Sequence, residues 1–360
     1  MSSARKYSKE EPDLSEKYPI SVVIPAYNRA AELARCLQGL AANDLSNTEV
    51  LVVDDASSQE LQEALGQLQE AECLQRLIRH PTNRGPASAR NTGLAHSAHP
   101  FIFFLDADVV LPPQALQWIR ETLDLYRHRP EVAGVLGSYS EARPRPDDFW
   151  TDYKNLATCH LYAATETVSP YLHTPMLCLR KDVLEEAGGF DPSFETAEDF
   201  RLGVLLGSRG YRFIIDRRIR GFHLKRYHLQ AILREDARRL RDLGRLDLSG
   251  PQQLFALRAH RLSRIVSLAT PGLSLAILLL APLAPRLLWL LLGLLMLFWA
   301  VNLPLASYLR KRRGFLFAWK ARLALFLEML WAEYCLLANL LRKESGIRSQ
   351  ESGRRGGFRD

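Results

Sequence analysis

The sequence predicts an α/β protein built on a doubly wound sheet and followed by apolar helices that cross a membrane. Three observations carry this. Residues 101–111 read FIFFLDADVVL, a short apolar run that is a strand buried on both faces, ended by Asp106 and Asp108. Three further apolar runs precede it, alternating with helical patterns in the β-α-β-α order of a parallel sheet with right-handed crossovers. Behind it, residues 265–284 and 287–309 are almost wholly apolar, each about 20 residues, enough for a hydrocarbon core of roughly 30 Å.

In chain order, residues 1–17 are polar and charged. They lack the apolar centre of a signal peptide, so they read as a tail. A β-branched strand follows over 20–24, ended by Pro25, with Tyr27 and Asn28 in a turn and a helical pattern over 31–40. The next strand, 49–53, ends at Asp54 and Asp55, and Ala56, Ser57 and Ser58 cap a helix running to about residue 70. A strand over 74–79, a turn at 83–86 and a helix over 87–98 carrying Arg90 lead to the strand at 101.

In an open α/β sheet, ligands bind beyond the carboxyl ends of the strands. Tyr27, Asp55, Arg90, Asp106 and Asp108 therefore converge on one rim. Two acidic side chains one residue apart suit a hard divalent cation, Mn²⁺ or Mg²⁺, which in turn holds a diphosphate. Each residue alone has an ordinary alternative: Tyr27 as packing, Asp54 as a structural acceptor, Arg90 as helix surface, Asp106 and Asp108 as a solvated turn.

Beyond a helix over 112–127, residues 132–138 form a strand. Residues 141–171, rich in Pro and aromatic side chains, suit a substrate loop with a helix over 153–162. A strand over 174–179 precedes a helix over 181–187 stopped by Gly188 and Gly189. Glu198 and Asp199 open a helix extending to residue 208. Acids in a first turn favour the helix dipole, and one of the two is also placed to act as a general base. A strand over 213–216 follows, and then His223.

Composition excludes several classes. With 360 residues and 47% hydrophobic content the chain buries an ordinary core. Cys36, Cys73, Cys159, Cys178 and Cys335 are odd in number and scattered, which argues against a disulfide framework or zinc site and for a reducing compartment. The net charge is +7, but thirteen basic and four acidic residues lie between Arg217 and Arg264, directly before the most apolar part of the chain. That block fits anionic lipid head groups and not nucleic acid.

Pro282, Pro285 and Arg286 form a turn between the two apolar segments. Arg310, Lys311, Arg312 and Arg313 after the second, and the basic block before the first, put both feet of the hairpin in the cytoplasm. Residues 315–341 are apolar but interrupted by Lys320, Arg322, Glu328 and Glu333, so a third span and an interfacial helix remain equal readings. The expected division is a tail over 1–18, a catalytic domain over 19–223, basic amphipathic juxtamembrane helices over 224–262, a membrane region over 263–341 and a tail over 342–360.

The motifs VVIPAYNRA, VVDDAS, NRGPASARNTG, FFLDADVV, GGFDPSF and AEDFRLGVLLGSRGYRF follow one another as in family 2 glycosyltransferases of the GT-A fold, a Rossmann-like mixed sheet. The resemblance covers about residues 18–223. It implies a UDP- or GDP-type nucleotide-sugar donor and inversion at the anomeric carbon. By position, Pro25 and Tyr27 resemble the base-binding turn, Asp55 the acid that accepts from a uracil-type base, and Arg90 the arginine near base or phosphate. Asp106 falls near the donor ribose and Asp108 on the metal. Asp199 matches the catalytic base, and His223 resembles the late histidine that reaches the metal in some members. Ala56 stands where glycine is usual, and the Gln-x-x-Arg-Trp signature of processive synthases is missing, so transfer of one sugar is expected. The membrane hairpin points to a lipid or lipid-linked glycan acceptor.

Two other readings stay open at this stage. FIFFLDADVVL also fits haloacid-dehalogenase-like phosphohydrolases, with Asp106 as nucleophile, although such domains begin at that strand. A membrane-tethered nucleotide-sugar sensor without catalysis would keep the same rim.

Overall fold

The computed structural model describes residues 13–58, 74–142, 148–165, 167–169, 172–245 and 262–344. The helix expected up to residue 70, part of the substrate loop, the second half of the juxtamembrane segment and both tails lie wholly or mostly outside these residues. The chain forms two compact units, one of residues 1–144, 162–193 and 198–225, the other of 145–161, 194–197 and 226–360.

The strands of the first unit are β1 (Ile20–Ala26), β2 (Thr48–Asp54), β3 (Arg76–Arg79), β4 (Phe101–Leu105), β5 (Val109–Val110), β6 (Val132–Tyr139), β7 (Val168–Ser169), β8 (Met176–Arg180) and β9 (Arg212–His223). They form one sheet in the order β3-β2-β1-β4-β8-β6-β9-β5, with β7 on β9. The first four strands are parallel, as expected. The sheet as a whole is mixed, because β8 runs antiparallel between β4 and β6. This reversal brings the residues just before Met176 to the rim where β4 ends, and the Asp106 N–H donates to the Pro175 carbonyl at 3.2 Å.

The fully buried runs made these strands predictable. Val23, Leu51, Ile102, Phe104, Leu177, Leu179 and Phe213 belong to one core cluster, and each such side chain contributes about 1.5–3 kcal/mol by leaving water. Helices α1 (Leu14–Lys17), α2 (Ala30–Ala41), α3 (Pro86–His96), α4 (Ala115–Leu125), α6 (Lys181–Glu186) and α7 (Glu198–Ser208) complete the unit, α5 (Phe149–Ala164) being shared with the second. α3 lies so close to β1 that a Cβ at Gly93 would sit 2.2 Å from Val23 Cγ1.

Three local expectations are corrected. Pro25 does not end β1, which continues to Ala26. Pairing with β4 stops at Val23, so the missing N–H of Pro25 breaks no ladder bond on that side. α4 starts at Ala115 and not at residue 112, since Gln114 is left-handed at φ 71°. Strand β9 does not stop at Asp216. A register shift beside Ser138 accommodates the extra residues, and the strand runs to His223 with Ile219 and Gly221 buried while Arg217, Arg218 and Arg220 point out.

The second unit contains α8 (Leu229–Leu243), α9 (Leu262–Leu280), α10 (Leu287–Val301), α11 (Leu303–Arg313), α12 (Phe315–Glu344) and most of α5. Among the described residues no single helix is long and apolar enough to cross a membrane. The expected span 287–309 is broken: α10 and α11 pass a length-and-composition test together but bend by 59°. Asn302 sits at the break, donating from Nδ2 to Ser267 Oγ and to the Phe298 carbonyl, both at 2.9 Å. Pro304 in the first turn of α11 has no N–H to continue the helix. α12 is one continuous helix whose Glu328 is buried, accepting from Lys154 at 3.0 Å. Large apolar side chains of α9 and α10 remain exposed, among them Leu279 at 71% and Trp289 at 77%.

Candidate active site

The parallel strands β1, β2, β4, β6 and β9 end on the same edge of the sheet, and the sequence-predicted residues lie along it. Tyr27 follows β1 and is 47% exposed, an unusual exposure for a large aromatic ring. Its turn is held by Asn28, at φ 52°, whose N–H donates to Ser57 Oγ at 3.0 Å while its Oδ1 accepts from Ser58 N–H at 3.0 Å. The two loops are thereby tied together.

Asp54 and Asp55 diverge. Asp54 is fully buried and its Oδ1 caps Ser57 N–H at 3.1 Å, the structural role expected of it. Asp55 is also buried; it accepts from Arg84 N–H at 2.9 Å and Gly85 N–H at 2.7 Å, and His80 Nδ1 lies 2.7 Å away. Thr92 Oγ1 stands 2.8 Å from the other imidazole nitrogen. Asp55 thus fastens the turn ahead of α3 to the end of β2, and His80 orients it.

Arg90 is buried in α3, not on its surface. Its Nη2 donates to Asp106 Oδ1 at 2.9 Å and its Nη1 to Glu198 Oε1 at 2.6 Å, and its guanidinium lies 5.5 Å from the centre of the Phe190 ring. Burial alone would lower its pKa, but Asp106, Glu198 and Asp199 outweigh it and the group is held charged. Burial and the neighbouring Asp199 charge push the Glu198 carboxyl up, against the pull of Arg90. Asp199, the next residue, is half-buried at the start of α7, with Oδ1 accepting from Phe200 N–H at 2.7 Å.

Asp108 is buried at the start of β5. This two-residue strand pairs antiparallel with the end of β9, Val109 opposite His223, and Leu224 N–H donates to the Asp108 carbonyl at 2.7 Å. Consequently His223 Nε2 stands 3.6 Å from Asp108 Oδ2. Arg29 Nη1 pairs with the same oxygen. Burial would raise the Asp108 pKa, but His223, Arg29 and Lys225 together hold the carboxyl well below the usual carboxylate range. The His223 ring stacks on Tyr139 at 4.6 Å; Tyr139 meets Tyr162, and Tyr162 meets His173.

The residues fit a divalent cation in one specific way. Neighbouring donors about 2.1 Å from one octahedral ion are roughly 3.0 Å apart; Asp108 Oδ2 and His223 Nε2, at 3.6 Å, need to close by only a few tenths of an ångström to share one. No group of three or more His, Cys, Asp or Glu suited to an ion occurs among the described residues. An ion here would take two protein donors and complete its shell with water and phosphate oxygens, the usual habit of ions that bridge phosphates.

Sequence reasoning missed Arg29, Glu198 as the partner of Arg90, the Tyr139–His223 stack and His173. Only Glu198 had a visible signal, as a neighbour of Asp199.

The sequence model of glycosyl transferase family 2 matches residues 21–187, and the mixed sheet is a GT-A fold. The match begins at β1 and runs through FIFFLDADVVL, which makes that stretch the fourth strand of this sheet and not the opening strand of a phosphohydrolase. A pre-mycofactocin glycosyltransferase of Mycobacterium tuberculosis is 31% identical over 201 residues, covering 54% of this chain and 40% of the relative. An uncharacterized glycosyltransferase of Haemophilus influenzae is 26% identical over 184 residues, covering 50% of this chain and 59% of the relative. The matched regions thus span about two-fifths and three-fifths of these relatives. A mannosyltransferase of Pyrobaculum calidifontis, solved with GDP-Man and Mn²⁺, shares the fold at a TM-score of 0.53 and 21% identity, over 93% of this chain and 89% of that one.

Proposed function

We propose that this chain is an inverting glycosyltransferase that moves one sugar from a UDP- or GDP-type donor to a hydroxyl or phosphate acceptor. The observation that carries the reading is Arg90, whose two ends hold Asp106 of the Asp-x-Asp turn and Glu198 beside Asp199. A donor gripped at Asp106 and Asp108 then presents its anomeric carbon on the side of Asp199.

In this reading Tyr27 stacks the base beside Pro25, Asp55 orders the base-binding rim, and Arg90 and Asp106 position ribose and phosphate. Asp108 and His223 would hold Mn²⁺ or Mg²⁺, which would supply charge neutralisation for the departing diphosphate. Asp199 takes the acceptor's proton as the acceptor oxygen bonds to the anomeric carbon and the carbon–oxygen bond to the diphosphate breaks. General-base catalysis of this kind contributes about 10²- to 10⁴-fold.

The second unit is the membrane anchor. Its exposed leucines and tryptophan on α9 and α10 form the kind of apolar surface that monomeric soluble proteins avoid, and the basic residues 310–313 keep the catalytic domain on the cytoplasmic side. A lipid or lipid-linked glycan acceptor would meet the site there.

The test is to incubate membranes carrying the protein with a panel of labelled UDP- and GDP-sugars. Label should enter the organic phase. Label confined to water-soluble product would overturn the lipid acceptor, and donor binding without any product would favour a sensor.

A further inference from the structure

We propose that Arg29 is an exchangeable clamp on the metal site: its guanidinium holds the Asp108 carboxylate in the metal-free protein, yields that oxygen when a divalent cation binds, and turns to the donor's diphosphate. This rests on the reading of Asp108 and His223 as the metal donors.

The contest for one atom motivates it. Arg29 Nη1 pairs with Asp108 Oδ2, the same oxygen that faces His223 Nε2 at 3.6 Å. A cation shared by Asp108 and His223 draws on that oxygen and repels the guanidinium beside it, so arginine and metal compete there. The two partners differ in freedom: the Arg29 side chain is 37% exposed, that of Asp108 only 9%. The carboxylate is fixed and the arginine is the part that can move.

Arg29 stands at the N-cap of α2 but makes no capping hydrogen bond with its side chain. Its backbone is placed by the Asn28 turn, which Ser57 and Ser58 fasten. The side chain is therefore not required by the helix, and among the described residues its ion pair is with Asp108. Once released it remains beside the Tyr27 turn, where its planar fork matches phosphate oxygens bidentately.

Charge decides the order of binding. A cation arriving alone must break an ion pair and then face the released guanidinium, with Lys225 also near. A nucleoside diphosphate arriving with it supplies the anion that Arg29 needs. Metal and diphosphate should therefore strengthen each other, and the coupling must be reciprocal.

Mn²⁺ binding to the purified full-length protein, followed by electron paramagnetic resonance of the free ion with and without UDP or GDP, tests this. The wild type should bind Mn²⁺ weakly alone and about 10- to 100-fold more tightly with one nucleotide, within the usual range of such coupling. Arg29→Gln should bind Mn²⁺ alone about 10-fold more tightly, while the enhancement by nucleotide falls below about threefold. Arg29→Lys should keep the weak binding of Mn²⁺ alone and recover part of the enhancement. Unchanged affinities in a folded Arg29→Gln protein, both alone and with nucleotide, would overturn the clamp. An Asp108→Asn control that binds Mn²⁺ as the wild type does would instead overturn the metal-donor reading, and the clamp with it.

Discussion

Asp106 and Glu198 accept hydrogen bonds from the two terminal nitrogens of the same buried guanidinium, that of Arg90, at 2.9 and 2.6 Å. One residue closes the strand that ends in Asp-x-Asp and the other opens the helix that carries Asp199. Helix α3 thus sets the separation between the expected metal side and the expected base side of the cleft.

Removing that bridge strands a buried acid. Arg90→Met should destabilise the protein by about 3 kcal/mol, the usual loss when one partner of a buried pair is deleted, read from urea unfolding. Arg90→Lys should recover part of this, since it returns the charge without the fork. A stability change near zero for Arg90→Met would show that the bridge is not formed in solution.

His173 gives a pH signature. Burial holds its imidazole down to about 3, from an ordinary 6.5, and among the described residues neither ring nitrogen has a hydrogen-bond partner. The folded state therefore keeps it neutral where the unfolded chain takes up a proton. Stability is full above about pH 6.5 and falls as the pH drops toward 3, by up to about 1.4 kcal/mol per unit from this one group. His173→Phe should remove nearly one proton from that slope, measured by urea unfolding at pH 7, 6 and 5. An unchanged slope would place His173 in water.

The exposed faces of α9 and α10 predict membrane retention. The wild-type protein should stay with membranes through an alkaline carbonate wash, while Leu279→Lys combined with Trp289→Lys should move a large share into the supernatant. Wild-type protein released by the wash would contradict an embedded anchor.

The parts of the fold that were legible in the sequence were those with one dominant force. Strands β1, β2 and β4 are buried on both faces, so hydrophobic runs marked them. What failed depended on distant partners. The second half of β9 is Arg-rich and looked like a basic segment, because alternation of Ile219 and Gly221 with outward arginines is too short to outweigh the charges. β5 has two residues, and only its pairing with His223 makes it a strand. Arg29 carried no signal in the sequence, since its partner lies 79 residues away. The break at Asn302 did have a signal, in Pro304, which the strong apolar run around it obscured.

The account depends most on Asp199 lying across the donor site from Asp108. The direct measurement is donor binding and sugar transfer by Asp199→Asn, side by side with the wild type. Binding of the nucleotide sugar should stay within about twofold, whereas transfer should fall by at least about 10²-fold, the scale of a lost general base. An Asp199→Asn protein that transfers sugar at the wild-type rate would contradict it.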